Sequence, residues 1–152
     1  MQARMPNAVL ILPDAMKAMM ALGTSVMKAG VPARTVLLVQ LRASQINGCS
    51  VCVDMHARDM RKSGQSEERI QAVAAWRHVP YFTAAERAAL ALTEAVTRLA
   101  DREDPVPDAI WAEAARHYDE KGMAALILAI AGINVWNRLN ASVGQIAGEW
   151  RG

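Results

Sequence analysis

Cys49, Cys52 and His56 sit within one short stretch of the chain, and together they can do redox chemistry. Their spacings of three and four residues place side chains on one face of an α-helix. Both thiols and the imidazole would then point the same way, in a stripe completed by Val53, Ala57 and Met60, while Asp54 and Arg58 project elsewhere. Cys49 falls in the first turn of such a helix, where free backbone N–H groups and the helix dipole favour a thiolate. The thiolate is the nucleophile, and His56, one turn beyond Cys52, is placed to accept the Cys52 proton directly or through a water. Cys49 is then near enough to capture an oxidised Cys52 as a disulfide, because a sulfenic acid beside a resolving thiol is the usual reversible step of thiol oxidation.

Other uses of the same residues fit less well. These are the only two cysteines in the chain, and the loop between them is too small to staple a fold. As a zinc site the set would offer three ligands with no second cysteine pair to close it, so no metal and no cofactor is assigned. A thioredoxin-like reductase would need a βαβ pattern around its CxxC, and none is present. His78 and His117 have no such neighbours and receive no role.

Helices must position this site, since the periodicity is helical nearly everywhere and no alternating run argues for a strand. The expected fold class is all-α, a single domain over residues 1–152 with about seven helices. The first runs from Asp14 to Ala29 with a stripe of Met16, Met19, Met20 and Met27, read as core filler. The second starts near Pro32 and reaches Ile46, and Asn47-Gly48 is a turn. The cysteine helix follows and ends at Ser63-Gly64. Ser66 to Trp76 makes a fourth helix. A capping box at Thr83 and Glu86 opens a fifth that reaches about Leu99. A helix from Pro107 to Tyr118 and a long apolar one from Asp119 into the Asn140 region complete the set.

Composition bounds the partners. The chain is 53% hydrophobic and 21% charged with a formal net charge of +2, and charges of both signs are interspersed. That is no footprint for nucleic acid. The apolar run from Ala8 to Leu12 is too short for a signal-peptide core, and the stretch from Met123 to Val135 is too short to span a bilayer. A cytoplasmic protein with no membrane contact is therefore expected.

With those residues in view, the segment from Leu41 to His56, containing Asn47-Gly48-Cys49-Ser50-Val51-Cys52, closely resembles the active-site segment of the alkylhydroperoxidase D family, within the carboxymuconolactone decarboxylase superfamily. The likeness continues through Trp76-Arg77, Glu86-Arg87-Ala88-Ala89-Leu90, Thr93-Glu94-Ala95 and Ile133-Asn134-Val135-Trp136-Asn137-Arg138-Leu139. It implies an all-helical peroxidase, assembled as homotrimers or homohexamers, that reduces organic hydroperoxides or hydrogen peroxide and is recycled by an external dithiol. Cys52 resembles the peroxidatic cysteine, Cys49 the resolving cysteine and His56 the proton-relay base. The decarboxylase branch lacks the cysteine pair.

One position departs from that pattern. The family carries a relay glutamate twelve residues before the first cysteine, and Leu37 stands there. Gln40, one turn later, could hydrogen-bond into the site, but an amide cannot ionise. The leading expectation is a thiol peroxidase in antioxidant defence, and the second is a redox sensor or interaction protein that uses the same pair slowly. The polar cluster Asn134, Trp136, Asn137 and Arg138 is expected to satisfy buried backbone groups or subunit contacts.

Overall fold

The computed structural model describes residues 1–148, and every regular element within them is helical. In chain order the α-helices are α1 (Ala8–Ile11), α2 (Pro13–Met27), α3 (Ala33–Ile46), α4 (Ser50–Lys62), α5 (Glu67–Ala72), α6 (Ala84–Thr97), α7 (Asp108–Ala115) and α8 (Glu120–Val143). Short 3-10 segments, Val73–His78 and Leu99–Asp101, follow α5 and α6. The all-α class expected from periodicity is the class observed. The helix beyond the expected seven is α1, a single turn built on the Ala8 to Ile11 run. Asn7 caps it, its side-chain oxygen accepting the Val9 N–H.

α3 is the centre of the bundle, packed against α4, α6 and α8. Val36, Leu38, Val39, Leu41 and Ala43 are all buried, as the apolar residues of a helix enclosed by neighbours on several sides should be. Val36 and Val39 pack with Leu92 of α6 and with Leu126 and Ile130 of α8. Leu38 and Leu41 pack with Met60 of α4 and Leu90 of α6. A third buried cluster joins Ala43, Cys49, Val51, Cys52 and Ile133, so the cysteines themselves are core residues where α3, α4 and α8 meet.

Two expectations need correcting. The helix begun at Ser66 does not run unbroken to Trp76: α5 ends at Ala72, and the chain tightens into a 3-10 stretch with a kink at Ala75. The kink is where side-chain partners override helix continuity, because Trp76 Nε1 donates to Glu94 at 2.9 Å and Arg77 pairs with the same carboxylate at 2.7 Å. Nor is the methionine stripe core filler within this chain, since Met20 and Met27 are 61% and 51% exposed and Met16 and Met19 only half-buried. α2 packs mainly on α8 and buries Val26 alone, and it leaves an apolar surface continued by Leu10, Ile11 and Leu12.

α8 spans 24 residues, and by length and composition it could cross a membrane. Half of its most apolar window is instead buried inside the bundle, with Leu126, Ala129, Ile130 and Ile133 turned to the core.

Candidate active site

The turn before the cysteine helix is fixed by backbone geometry. Gly48 has φ 65°, its N–H donates to Gln45 O at 3.3 Å, and the Cys49 N–H donates to Ser44 O at 3.1 Å. This pair of bonds is a Schellman motif closing α3. Cys49 therefore belongs to two helices at once, ending the cap of α3 and serving as N-cap of α4, where its sulfur accepts the Cys52 N–H at 3.3 Å. The site sits one residue earlier in the helix than periodicity placed it, so that Cys52, and not Cys49, occupies the first turn.

The two sulfurs are joined as a disulfide, with the Cα atoms 5.4 Å apart. Both residues are buried, but not equivalently. Cys49 lines an open cleft of about 670 Å³ together with Gly48, Ser50, Asn140 and Gln145, whereas Cys52 has no exposed surface.

His56 is buried on α4 one turn beyond Cys52, and neither ring nitrogen has a hydrogen-bond partner among the described residues. Burial lowers its pKa from 6.5 to about 4, opposed only in part by the charge of Asp59. The imidazole is neutral at pH 7. Leu37 packs in the apolar cluster alongside Val53 and Ala57 of α4, so α3 offers no carboxylate from that position. The side chain of Gln40 lines a groove between α2 and α8 and leaves His56 unpartnered.

Three asparagines of α8, spaced three apart, face the site. Asn47 Nδ2 donates to the side-chain oxygens of Asn134 at 3.0 Å and Asn137 at 2.9 Å, and Asn137 Nδ2 donates to Ser44 Oγ at 3.0 Å. Asn134 is held in turn by Thr97 at 3.2 Å and by Arg138 at 3.1 Å. These bonds tie the loop that carries Cys49 to α8 within one chain. Trp136 packs against the cysteine cluster. Asn140 goes further, because its Nδ2 lies 3.2 Å from Cys52 Sγ. Sequence reasoning missed Asn140, although its three-residue register with Asn134 and Asn137 was visible.

The acidic residues of the shared motifs act as struts. Glu94 accepts from Trp76, Arg42 and Arg77. Burial alone would raise its pKa, but those hydrogen bonds and charges outweigh it and hold the carboxyl below its ordinary range. Glu86 completes the capping box with Thr83 and pairs with Arg69 at 2.7 Å. Among the described residues no group of three His, Cys, Asp or Glu side chains is arranged to hold a metal.

Comparison with known proteins bears on the family and the fold. The model of the carboxymuconolactone decarboxylase family matches residues 13–95. An uncharacterised Bacillus subtilis protein, YdfG, is 37% identical over 137 residues, covering 90% of this chain and 92% of its own. A crystal structure from Agrobacterium tumefaciens, of a protein of unknown function provisionally assigned to antioxidant defence as AhpD, superposes with a TM-score of 0.89. It is 37% identical and covers 96% of this chain and 98% of that one. A debrominase superposes with a TM-score of 0.80 over 90% of this chain and 73% of its own, and at 21% identity it shares the fold alone.

Proposed function

The chain belongs to the carboxymuconolactone decarboxylase family, and from that premise we propose that it is a thiol-dependent peroxidase of the alkylhydroperoxidase D type. The observation that carries the reading is the buried Cys49–Cys52 pair at the start of α4, close enough to bond and held there by the Asn47 anchors. The Cys52 thiolate attacks the distal oxygen of a hydroperoxide, the O–O bond breaks, and the alkoxide leaves as the alcohol after taking a proton. Cys52 is then a sulfenic acid. Cys49 attacks its sulfur, the disulfide forms and water departs. An external dithiol returns both cysteines to thiols and becomes a disulfide itself. Such recycling suits a reducing compartment such as the cytoplasm.

We also propose a homo-oligomer, trimeric or hexameric, that covers the apolar outer faces of α2 and α8. Met20 and Met27 on the one and Leu128 and Val135 on the other would otherwise face water.

A redox sensor is the second reading, favoured by one specific observation. His56 has no partner and a pKa near 4, so it is a weak base for a thiol. One experiment separates the two. Pre-reduced protein is mixed with an organic hydroperoxide or hydrogen peroxide and several dithiol donors, alongside Cys52→Ser and Cys49→Ser. The enzyme reading expects turnover in the native protein and none in Cys52→Ser. Cys49→Ser should react once and leave a dimedone-trappable sulfenic acid on Cys52. A sulfenic acid trapped on Cys49 alone reverses the roles, and slow oxidation of the pair without turnover on any donor supports the sensor.

A further inference from the structure

Among the described residues Cys52 Sγ receives one side-chain hydrogen bond, and its donor is fixed in direction by a chain of amides. The Val9 N–H donates to Asn7 Oδ1 at 3.2 Å, as the cap of α1 requires. With its oxygen so committed, Asn7 turns its Nδ2 outward and donates to Asn140 Oδ1 at 2.7 Å. Asn140 must then present its own Nδ2 to Cys52, 3.2 Å away. Each amide has one acceptor and one donor end, so the polarity set at the Val9 backbone propagates to the sulfur. Asn7 and Cys52 are fully buried and Asn140, at the wall of the cleft, nearly so, which strengthens these bonds over their worth in water.

We propose that Asn140 is a catalytic residue that donates its N–H to the Cys52 thiolate, with Asn7 as the positioning residue that aims it. The assignment rests on the peroxidase reading only for what Cys52 attacks. The donor lowers the proton affinity of Cys52 in the reduced protein, since a hydrogen bond to the charged form favours that form. It works together with the positive end of the α4 dipole, in whose first turn Cys52 lies, while the Cys52 N–H itself is given to Cys49 Sγ.

The same donor sets the direction of re-reduction. Cys49 lines the cleft, and Cys52 has no exposed surface. A thiolate of the external dithiol therefore attacks Cys49 Sγ, a mixed disulfide forms there, and the Cys49–Cys52 bond breaks with its electron pair going to Cys52. Cys52 leaves as a thiolate already hydrogen-bonded by Asn140. The second thiol of the donor then displaces Cys49, and the donor departs as its own disulfide. A lower pKa in the leaving thiol speeds this exchange. Residues 4–7 belong to the site through this relay. The Arg4 N–H donates to Val143 O at 2.7 Å and its Nη1 to Ser142 O at 2.9 Å, which pins the segment across the end of α8.

The test reads Cys52 itself and needs no peroxide. In a Cys49→Ser background, the rate of iodoacetamide alkylation is followed from pH 5 to 10 in Asn140→Leu, Asn140→Asp and Asn7→Ala. Loss of a hydrogen bond to a charged group should cut the thiolate population at pH 7 by roughly 10- to 100-fold, moving the profile up by about one to two pH units. Asn140→Asp, which sets a carboxylate against the sulfur, should move it at least as far, and Asn7→Ala less far in the same direction. With both cysteines present, Asn140→Leu should shift the equilibrium with dithiothreitol toward the protein disulfide about tenfold, or roughly 30 mV. If Asn140→Leu fails to fold, Asn140→Asp and Asn7→Ala carry the test. Folded variants that melt at lower temperature but keep the native alkylation profile and potential would overturn the proposal. A protein that turns over no peroxide yet shows the Asn140-dependent profile would overturn only the peroxidase reading.

Discussion

Replacing His56 by leucine should make the fold more resistant to acid, by an amount that follows from the burial of the imidazole. In the fold its pKa is lowered to about 4 from 6.5. As pH falls below 6.5 the unfolded chain takes up a proton that the folded chain refuses until about pH 4, so stability is full above 6.5 and lost progressively between these values. Below about 4 this group contributes no further loss. The interval is about 2.5 pH units, and at 1.36 kcal/mol per unit it amounts to about 3 kcal/mol, or roughly 6–12 °C in Tm for a chain of this size. His56→Leu removes the titration and also removes two buried ring nitrogens that have no partner. A buried polar group left unpaired costs on the order of 1–3 kcal/mol, so the variant should be more stable at pH 7 as well. The assay is urea or thermal unfolding of both proteins with the disulfide intact, from pH 8 to pH 4. Glu86 and Glu94, whose pKa values are lowered, lose their contributions as pH falls through the carboxylate range, but they do so in both proteins and cancel in the difference. That difference should be flat above pH 6.5 and grow by about 3 kcal/mol toward pH 4. Parallel curves throughout would refute the reasoning, because they would mean that His56 titrates alike in both states.

Leu37→Glu should restore a carboxylate beside α4, raising the peroxidase rate by up to the ~10²- to 10⁴-fold typical of general acid–base assistance and lowering the apparent pKa of Cys52. It should cost about 1–2 kcal/mol, since Leu37 is only partly buried. Steady-state peroxide consumption and the pH dependence of alkylation check it, and a folded variant with neither change would remove Leu37 from the account. Light scattering of the native protein at micromolar concentration should give a multiple of the 16.5 kDa chain, and Met20→Glu combined with Leu128→Glu should reduce it. A native monomer would end the proposal that α2 and α8 are covered by copies.

The contact of Cys49 with Cys52 was legible because two short-range rules suffice to find it: a three-residue spacing at a helix start brings the sulfurs together, and Asn47-Gly48 announces the turn before them. The capping box at Thr83 was legible for the same reason. What sequence could not supply were contacts that depend on which helices meet. Asn7 and Asn140 are 133 positions apart, and nothing local indicates that one caps α1 while it orients the other. The kink at Ala75 depends on Glu94, eighteen residues from Trp76. The methionines of α2 carry the period of a buried stripe, yet periodicity reports only that a face avoids water, and it cannot say whether the cover comes from the same chain. Cys49 was displaced by a single residue, from first turn to N-cap, because the Schellman close of α3 uses its N–H.

The departure at Leu37 and the amide relay are two sides of one chemical problem. A thiol near pKa 8.5 does not hand its proton to an imidazole whose conjugate acid has a pKa near 4, because the transfer is uphill by several pH units. A carboxylate beside the imidazole would correct this by stabilising the imidazolium, and Leu37 cannot. Fixed donors solve it differently, by lowering the energy of the thiolate without accepting a proton at all. Asn140 Nδ2 is such a donor, and it is already in place while the pair is still bonded as the disulfide. A preorganised dipole in a buried site needs no reorganisation when charge appears on sulfur. On this account His56 is not the source of the thiolate. Buried and neutral, its ring leaves stabilisation of the thiolate to the Asn140 donor.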